Sequence, residues 1–244
     1  MVTQNKSITF ATCKHYYKRM KEQNRIIVFA NQKGGVGKST LCIMFANYLA
    51  SKGEAVAIID ADLQQTIYEQ RQTELSKASA GTAEPWDVVS VDTTVIDNVT
   101  NAMNFAKGFP GTILVDVPGN ISDDNLLPIY ENADYIISPM TYHPNVVSST
   151  KKFADIMEKI KAALNVNFKI WFVPNMIDDR KKLNLDELKH NAWEALHRHG
   201  EILTRINNRA WLERTSTLSL TNQQIGSVKY AFERIITEIT ETEE

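Results

Sequence analysis

Short apolar runs alternate with segments of helical periodicity along most of the chain. The runs predict strands at 26–30, 55–60, 87–91, 112–116, 134–138 and 168–173, with a short one near 202–206. Their continuous apolar character is typical of strands that are buried on both faces. The alternation predicts an α/β fold, with a mainly parallel, twisted sheet of about seven strands and helices on both faces.

Apolar residues recur three and four positions apart in four segments, which predicts helices at 38–52, 146–164, 185–199 and 223–239. One face of the first helix is expected to carry the apolar residues Leu41, Met44, Phe45 and Tyr48. Asn145 is expected to cap the second helix. The segment 75–85, rich in Ser, Ala, Gly and Thr, is the expected mobile loop.

The composition fits a single globular core. The chain has 244 residues, of which 43% are hydrophobic and 23% charged, and this excludes a disordered chain, a collagen and a disulfide scaffold. The net charge of −2 provides no overall field that attracts nucleic acid. It conceals four blocks, however, with +5 at 1–25, −8 at 26–150, +4 at 151–214 and −3 at 215–244.

The cysteines and the N-terminus bear on the cellular compartment. Cys13 and Cys42 are too few for a disulfide framework and lack zinc-type spacing, which favours a reducing cytoplasm. The longest apolar runs are far shorter than the ~20 residues of a membrane helix, and the N-terminus lacks the apolar core of a signal peptide. Residues 1–19 are basic without an acid, so a transit peptide stays open beside an extension, a later start at Met20 or a loosely packed helix.

The stretch between the first predicted strand and the first predicted helix has the composition of a phosphate-binding loop. It reads Asn31, Gln32, Lys33, Gly34, Gly35, Val36, Gly37, Lys38, Ser39 and Thr40. Glycines let backbone N–H groups turn toward phosphate oxygens, and the positive end of the helix dipole adds to the attraction. Lys38 is expected to reach the terminal phosphates and the Ser39 hydroxyl to bind Mg²⁺. A glycine turn that merely precedes a helix is the alternative.

The usual pattern of such a loop has a glycine where this chain has Gln32, and it lacks a lysine such as Lys33, five residues before Lys38. The variant resembles the deviant Walker A motif of the ParA/MinD family of ATPases. The resemblance implies that ATP and Mg²⁺ are cofactors bound by Lys33 to Thr40. It also implies one P-loop NTPase domain at 26–244, preceded by a basic N-terminal extension at 1–25.

Three later segments resemble motifs of the same family in the same order. Residues 56–64 resemble its second motif, 113–119 resemble its Walker B strand, and Asn175 lies where the family places an adenine-contacting asparagine. The chain departs from the family at Leu63 and Gly119, which each stand where a proline is common. We expect these departures to affect the placement of the loop around Leu63 more than ATP binding. Asn175 is also compatible with a simple turn residue.

Aspartates end two of the predicted strands. Asp60 and Asp116 are expected at the C-terminal edge of the sheet beside the phosphate loop, where open α/β sheets bind ligands. Asp116 is the expected carboxylate for the water shell of Mg²⁺, with a turn-capping aspartate as the alternative. Asp60 is expected among the nucleotide-binding residues. Asp62, two residues further on a loop, is placed to orient the attacking water, which is the role that the resemblance implies.

Lys33 is the unusual residue of the loop. A cation five residues before Lys38 can stabilise charge on a transferred phosphoryl group, as an arginine finger does. The resemblance implies that Lys33 reaches across a sandwich dimer holding two ATP molecules, and that Lys33, Lys38 and Asp62 are catalytic. Hydrolysis then depends on dimerisation, so we expect a slow, Mg²⁺-dependent ATPase that works as a switch.

Three functions are compatible with such a loop. The expected function is that of an ATPase in plasmid or chromosome partitioning or in mobile-element maintenance, and a conjugation-associated role is a variant of it. Such a protein binds nonspecific DNA as an ATP-dependent homodimer. Its partner is a small DNA-binding adaptor or activator protein. A MinD-like positioning ATPase acts at a membrane or on a protein cargo, but the acidic residues after Ile236 would repel anionic lipid. A metabolic or electron-transfer protein uses such a loop for chemistry on a small molecule or for an iron–sulfur cluster. Two cysteines are too few for a shared cluster, which excludes the cluster version.

Basic residues of the 151–214 block are the candidate DNA contacts. They are Arg180, Lys181 and Lys182, then Arg205, Arg209 and Arg214. The last three are predicted to be the DNA-binding residues. Arg209 is expected near the start of a short helix, where a phosphate also meets backbone N–H groups. A solvated face of mixed charge is the alternative, because nine acidic residues share the block. The region before the loop is too short for a helix-turn-helix domain, so any DNA binding is expected to be salt-sensitive and independent of sequence, with association to the nucleoid.

Overall fold

The computed structural model describes residues 24–120, 123–178 and 184–242. The strands in these ranges are β1 Arg25–Phe29, β2 Val56–Asp60, β3 Asp87–Ser90, β4 Thr112–Asp116, β5 Tyr135–Met140, β6 Lys169–Pro174 and β7 Glu201–Ile202. The α-helices are α1 Lys38–Ser51, α2 Thr66–Lys77, α3 Ile96–Gly108, α4 Leu127–Glu131, α5 Pro144–Leu164, α6 Leu185–Leu196 and α7 Asn222–Thr242. Short 3-10 helices span Asp124–Leu126 and Ala210–Glu213.

The seven described strands form one sheet in the order β3-β2-β4-β1-β5-β6-β7. Every pairing between neighbouring strands is parallel. The predicted α/β fold with a parallel sheet is therefore confirmed, although β7 is only two residues long. Because all carboxyl ends of the strands lie at one edge, the loops that follow β1, β2, β4 and β6 come together there.

The core lies on both faces of this sheet. Alternate residues of β1 point to opposite faces, so Ile26 and Val28 pack with α3, α4, α5 and α6, whereas Ile27 and Phe29 pack with α1, α2 and α7. This two-sided burial explains the continuous apolar runs of the central strands. The two edge strands are the exceptions, because the side chains of β3 and β7 are half-buried or exposed.

Several helices differ from the sequence-based expectation. α2, α3 and α4 were not predicted, because they bury few apolar side chains; in α2 only Ile67 and Arg71 are buried. The buried surface of α1 is wider than the single apolar face predicted from the sequence, since every residue from Leu41 to Leu49 is buried between the sheet and neighbouring helices. The segment 75–85 begins in α2 and continues without regular structure from residue 78.

Two boundaries of helices and strands also differ from those predicted from the sequence. The cap of α5 is His143 rather than Asn145, because Pro144 starts the helix and the His143 side chain accepts the Asn145 N–H at 3.4 Å. Arg25, assigned to the extension, is the buried first residue of β1. The rest of the basic extension at 1–23 and the cluster Arg180, Lys181 and Lys182 lie outside the described residues. Within the described ranges, no helix has both the length and the apolar character needed to cross a membrane.

Candidate nucleotide-binding site

An open loop connects β1 to α1. Gly35 and Gly37 have φ values of 74° and 94°, which glycine adopts without the strain of other residues. A β-carbon at Gly34 or Gly35 would meet no described atom within 4 Å, so space is open in front of the loop. Gly37 precedes α1, and its carbonyl accepts the Leu41 N–H at 2.9 Å. An open glycine loop at a helix N-terminus is an arrangement that binds phosphate.

The polar side chains of the loop lie at its two ends. Lys38, Ser39 and Thr40 form the first turn of α1 and are half-buried, whereas Lys33 is exposed. Gly119, which follows β4, approaches this region closely: a β-carbon there would lie 3.9 Å from Lys38 Nζ and 3.4 Å from the Gln32 carbonyl oxygen. The segment after β4 therefore lies directly beside the phosphate loop.

Asp60 is committed to holding helix α2. Its Oδ2 accepts hydrogen bonds from the N–H groups of Ile67 at 2.9 Å and Tyr68 at 3.0 Å, and its Oδ1 accepts from the Asp62 N–H at 3.4 Å. The first turn of a helix has no internal partner for its N–H groups, so a buried carboxylate there stabilises the helix start. Burial raises the pKa of Asp60, and the N–H groups of Tyr68, Ile67 and Asp62 lower it.

Asp116 lies opposite Asp60 in the parallel register of β4 and β2, and it is equally buried. Neither of its carboxylate oxygens has a hydrogen-bond partner among the described residues. Burial raises the pKa of Asp116 to about 7. The Ser39 hydroxyl, which faces the carboxylate without reaching hydrogen-bond geometry, lowers this pKa, the Asp60 charge raises it and the Lys38 charge lowers it.

These features fit a magnesium ion shared with a nucleotide. A buried carboxylate without a hydrogen-bond partner, such as that of Asp116, destabilises the fold unless a ligand binds to it. The Asp116 carboxylate and the Ser39 hydroxyl both offer oxygen atoms suited to Mg²⁺. No group of three or more His, Cys, Asp or Glu side chains in the described part of the chain could hold a metal by itself. This agrees with Mg²⁺, which keeps water and phosphate oxygens among its ligands.

Asp62 lies on a tight turn between β2 and α2. Its Oδ1 accepts the Gln64 N–H at 3.0 Å, and its backbone carbonyl accepts the Gln65 N–H at 2.8 Å. Gln65 has a φ of 47° and precedes the first residue of α2. The turn therefore forms without the proline that Leu63 replaces, and it leaves the Leu63 side chain 53% exposed. Asp62 itself is half-buried, and its role toward water stays a prediction.

Asn175 supports the phosphate loop from the side of β6. Its Nδ2 donates to the Val36 carbonyl at 2.9 Å, its N–H donates to the Met140 carbonyl at 2.6 Å, and the residue is only 4% exposed. Met176, with a φ of 56°, turns the chain directly after it. The structure thus brings Asn175 to the site as a support of the loop, and its contact with adenine stays a prediction.

Asn207 is a residue of this edge that sequence reasoning missed. A β-bridge joins it to Ile177, and the Ile206 N–H donates to the Pro174 carbonyl at 2.7 Å, so the segment after β7 lies beside the segment after β6. The Asn207 Oδ1 is buried and has no hydrogen-bond partner among the described residues. No pattern in the sequence marks this asparagine, because only the pairing of the two segments brings it to the edge.

The candidate DNA-binding arginines all lie between β7 and α7. Arg205 is close enough to Tyr142 for its charge to lower the Tyr142 pKa, which burial raises overall. Arg209 and Arg214 flank the 3-10 helix at Ala210–Glu213. The short helix expected near Arg209 is confirmed, although its four residues make it a single 3-10 turn. The role of the three arginines toward DNA stays a prediction.

A polar network holds the segment that follows these arginines against α2. The carbonyls of residues 215, 216 and 217 accept hydrogen bonds from Gln70, Asn47 and Arg71 at 2.6, 2.8 and 2.9 Å. The Thr217 N–H donates to Glu74 at 2.8 Å. Arg71 is fully buried and stacks over the Trp86 ring at 3.9 Å. The start of α2 at Asp60 and this segment are therefore parts of one rigid polar scaffold.

Comparison with known sequences shows which proteins share this arrangement. The profile of a family described as the CobQ/CobB/MinD/ParA nucleotide binding domain matches residues 27–218. An uncharacterized protein of Pseudomonas putida is 26% identical over an alignment of 194 positions, and the alignment covers 66% of this chain and 73% of that protein. The chromosome partitioning protein ParA of Caulobacter vibrioides is 55% identical over 40 residues, which are 16% of this chain and 15% of that protein.

Solved structures share the fold over most of the chain. A plasmid partition protein from Borrelia burgdorferi, bound to AMPPNP, has a TM-score of 0.66 at 21% identity and covers 91% of this chain and 100% of its own. A chain of the MinC:MinD cell division protein complex of Aquifex aeolicus has a TM-score of 0.64 at 17% identity, and the match covers 89% of this chain and 96% of that chain. At identities this low, the structural similarity establishes a common fold only.

Proposed function

The chain belongs to the CobQ/CobB/MinD/ParA family of nucleotide-binding domains, and from this premise we propose that it is a slow, Mg²⁺-dependent ATPase that works as a dimeric switch in DNA partitioning or mobile-element maintenance. The observation that carries the proposal is the juxtaposition of an open glycine loop with the unpartnered carboxylate of Asp116. ATP phosphates would occupy the loop, with Lys38 on the terminal phosphates. Asp116 and Ser39 would hold Mg²⁺, which neutralises phosphate charge when bound.

One asparagine supports the loop, and another supports adenine as the base. Asn175 holds Val36 and therefore keeps the loop in place beside β6. The buried Oδ1 of Asn207 lacks a donor, and the exocyclic amino group of adenine is a donor that guanine does not offer at the same position. In this proposal Asn207 accepts a hydrogen bond from the base, and the open acceptor favours ATP over GTP.

The exposed residues around the loop support a second copy as the partner. Lys33 points to solvent from the loop itself. Leu63, after β2, and Met176, after β6, are 53% and 41% exposed on either side of it. A partner copy that faces this edge would cover both apolar side chains and would receive Lys33 at its own nucleotide. Asp62 would then orient the attacking water, so that hydrolysis follows dimerisation.

The cellular role rests on the relatives. A chromosome partitioning protein and a plasmid partition protein are among the proteins that this chain resembles. We extend their role to this chain as nonspecific, ATP-dependent DNA binding through Arg205, Arg209 and Arg214, with a small DNA-binding adaptor or activator and a position on the nucleoid. Retention on anionic vesicles instead of DNA would identify a MinD-like positioning ATPase.

Binding of AMPPNP to Lys38→Ala tests the nucleotide site. We expect the affinity to fall at least about 100-fold, because Lys38 supplies the charge that meets the terminal phosphates. Lys107→Ala is the matched control, since Lys107 lies in the last turn of α3 outside the site, and it should bind AMPPNP like the wild type. Unchanged affinity in Lys38→Ala would contradict the proposal.

A further inference from the structure

The fully buried side chain of Asn31 ties the phosphate loop to the neighbouring strand and helix. Its Nδ2 donates to the Pro139 carbonyl at 2.9 Å and lies 3.1 Å from the Ser138 hydroxyl, both on β5. The same Nδ2 lies 3.0 Å from the Thr150 hydroxyl on α5. Ser138 and Thr150 are themselves fully buried. Such a polar cluster has one low-energy arrangement, because every alternative leaves a buried polar atom unpaired.

The opposite end of the same amide holds Lys33. The Asn31 Oδ1 accepts the Lys33 N–H at 2.9 Å, which closes a turn over two residues. The Lys33 side chain is exposed, and a β-carbon at Gly34, the next residue, would meet no described atom within 4 Å apart from its chain neighbours. The hydrogen bond to Asn31 is therefore what holds the backbone of Lys33, since the glycines on its other side impose no direction.

We infer that Asn31 is the positioning residue for Lys33, and that it transmits the rigidity of β5 and α5 to the exposed lysine before a partner copy arrives. A lysine side chain has a flexible four-carbon stem, so the position of its backbone limits the region that its ammonium group can reach. Misplacement of a reacting group by about 1 Å can cost about 100-fold in rate. The inference rests on the proposed function, in which Lys33 stabilises the transferred phosphoryl group.

A double-mutant cycle between Asn31 and Lys33 tests the inference. The full chain is prepared as Asn31→Ala, Lys33→Ala and the double variant, and both AMPPNP affinity and ATP turnover at saturating ATP are measured. We expect Asn31→Ala to lower turnover at least about tenfold while the AMPPNP affinity changes less than about threefold. The double variant should be no slower than Lys33→Ala alone, because Asn31 acts through Lys33.

Each result separates the inference from the function on which it rests. Additive losses in the double variant, wild-type turnover in Asn31→Ala, or an affinity loss as large as the turnover loss would overturn the positioning role while Lys33→Ala remains slow. Wild-type turnover in Lys33→Ala would overturn the proposed catalytic role of Lys33 and the inference with it. If Asn31→Ala does not fold, the isosteric Thr150→Val, which removes the hydroxyl on α5, enters the same cycle with a smaller expected loss of turnover.

Discussion

Two buried aspartates lie side by side at the ends of β2 and β4, and they differ in their hydrogen bonding. Asp60 on β2 accepts three backbone N–H groups and holds the start of α2. Asp116 on β4 has no hydrogen-bond partner among the described residues. Residue type, burial and strand position are the same in both, so they do not distinguish a structural carboxylate from a ligand. The distinction comes from the neighbouring backbone, which, in the described part of the chain, donates hydrogen bonds to the Asp60 carboxylate and none to the Asp116 carboxylate.

This contrast extends to the regions around the two residues. On the β2 side, α2 continues into the polar network in which Arg71 and Glu74 hold residues 215–217. On the β4 side, Gly119 lies close to Lys38 and Gln32, and the glycine loop is open at Gly34 and Gly35. The Asp60 carboxylate is satisfied by backbone N–H groups, whereas both Asp116 carboxylate oxygens lack a hydrogen-bond partner among the described residues. The turn-capping role, considered for Asp116 from the sequence, describes Asp60 instead.

Replacing Asp60 by Ala should have the largest effect on stability. The change leaves two buried N–H groups at the start of α2 without an acceptor, and we expect the free energy of unfolding to fall by about 3–5 kcal/mol. Urea denaturation followed by circular dichroism measures it. Asp60→Asn, which keeps one acceptor oxygen, should lose less than Asp60→Ala. A loss below about 1 kcal/mol in Asp60→Ala would show that Asp60 is not the anchor of α2.

Replacing Asp116 by Asn should stabilise the ligand-free protein in a pH-dependent way. The Asp116 pKa is about 7 in the folded protein and near its ordinary value of 3.8 in the unfolded chain. Below pH 3.8 the carboxyl is protonated in both states, and between pH 3.8 and 7 only the unfolded chain loses the proton, so wild-type stability falls as pH rises.

The advantage of Asp116→Asn over wild type should therefore grow from about pH 4 and level off above pH 7, at up to about 4 kcal/mol. Urea titrations without Mg²⁺ or nucleotide at pH 5, 6, 7 and 8 give the comparison. An advantage that does not change with pH would mean that Asp116 is not a strained carboxylate in the ligand-free protein.

Replacing Asp62 by Ala should separate binding from hydrolysis. Because the Asp62 carboxylate is half-buried on the turn beside the site, we expect nearly normal AMPPNP affinity and turnover lower by about 100-fold. The ATP-bound dimer should then persist, which size-exclusion chromatography in ATP detects. Wild-type turnover would remove Asp62 from the proposed mechanism.

The smallest effect is expected away from both aspartates, at Arg209. One phosphate contact changes DNA affinity by about threefold, so Arg209→Ala should weaken ATP-dependent retention on random duplex by about that factor and reduce the salt slope by about 1. Lys107→Ala serves again as the control of equal charge. Retention that is independent of ATP, or equal in both variants, would argue against Arg209 as a DNA contact.

The sequence predicted those features that depend on local pattern. The strand ends at Asp60 and Asp116 and the loop from Lys33 to Thr40 could be located, because apolar runs mark strands and glycines mark the turn between a strand and a helix. It could not assign the partners of each carboxylate, since the N–H groups that complete Asp60 come from α2, a helix whose two buried residues give no periodic signal.

Features that depend on long-range pairing also escaped prediction. Asn31 meets Ser138 and Thr150 across more than 100 residues, and Asn207 reaches the site only through its bridge to Ile177. Asn31 carried a weak signal, as a short polar residue directly between an apolar strand and the glycine loop. The candidate DNA contacts were the least predictable, because surface charge constrains the fold so little.

The Mg²⁺ dependence of AMPPNP binding, compared between wild type and Asp116→Asn, tests most directly whether the end of β4 is the metal and nucleotide site. Isothermal titration with Mg²⁺ and with EDTA should give much tighter binding with Mg²⁺ in the wild type. In Asp116→Asn this gain should be lost, while binding in EDTA stays within about threefold of wild type. An equal gain from Mg²⁺ in both proteins would contradict the assignment of Asp116.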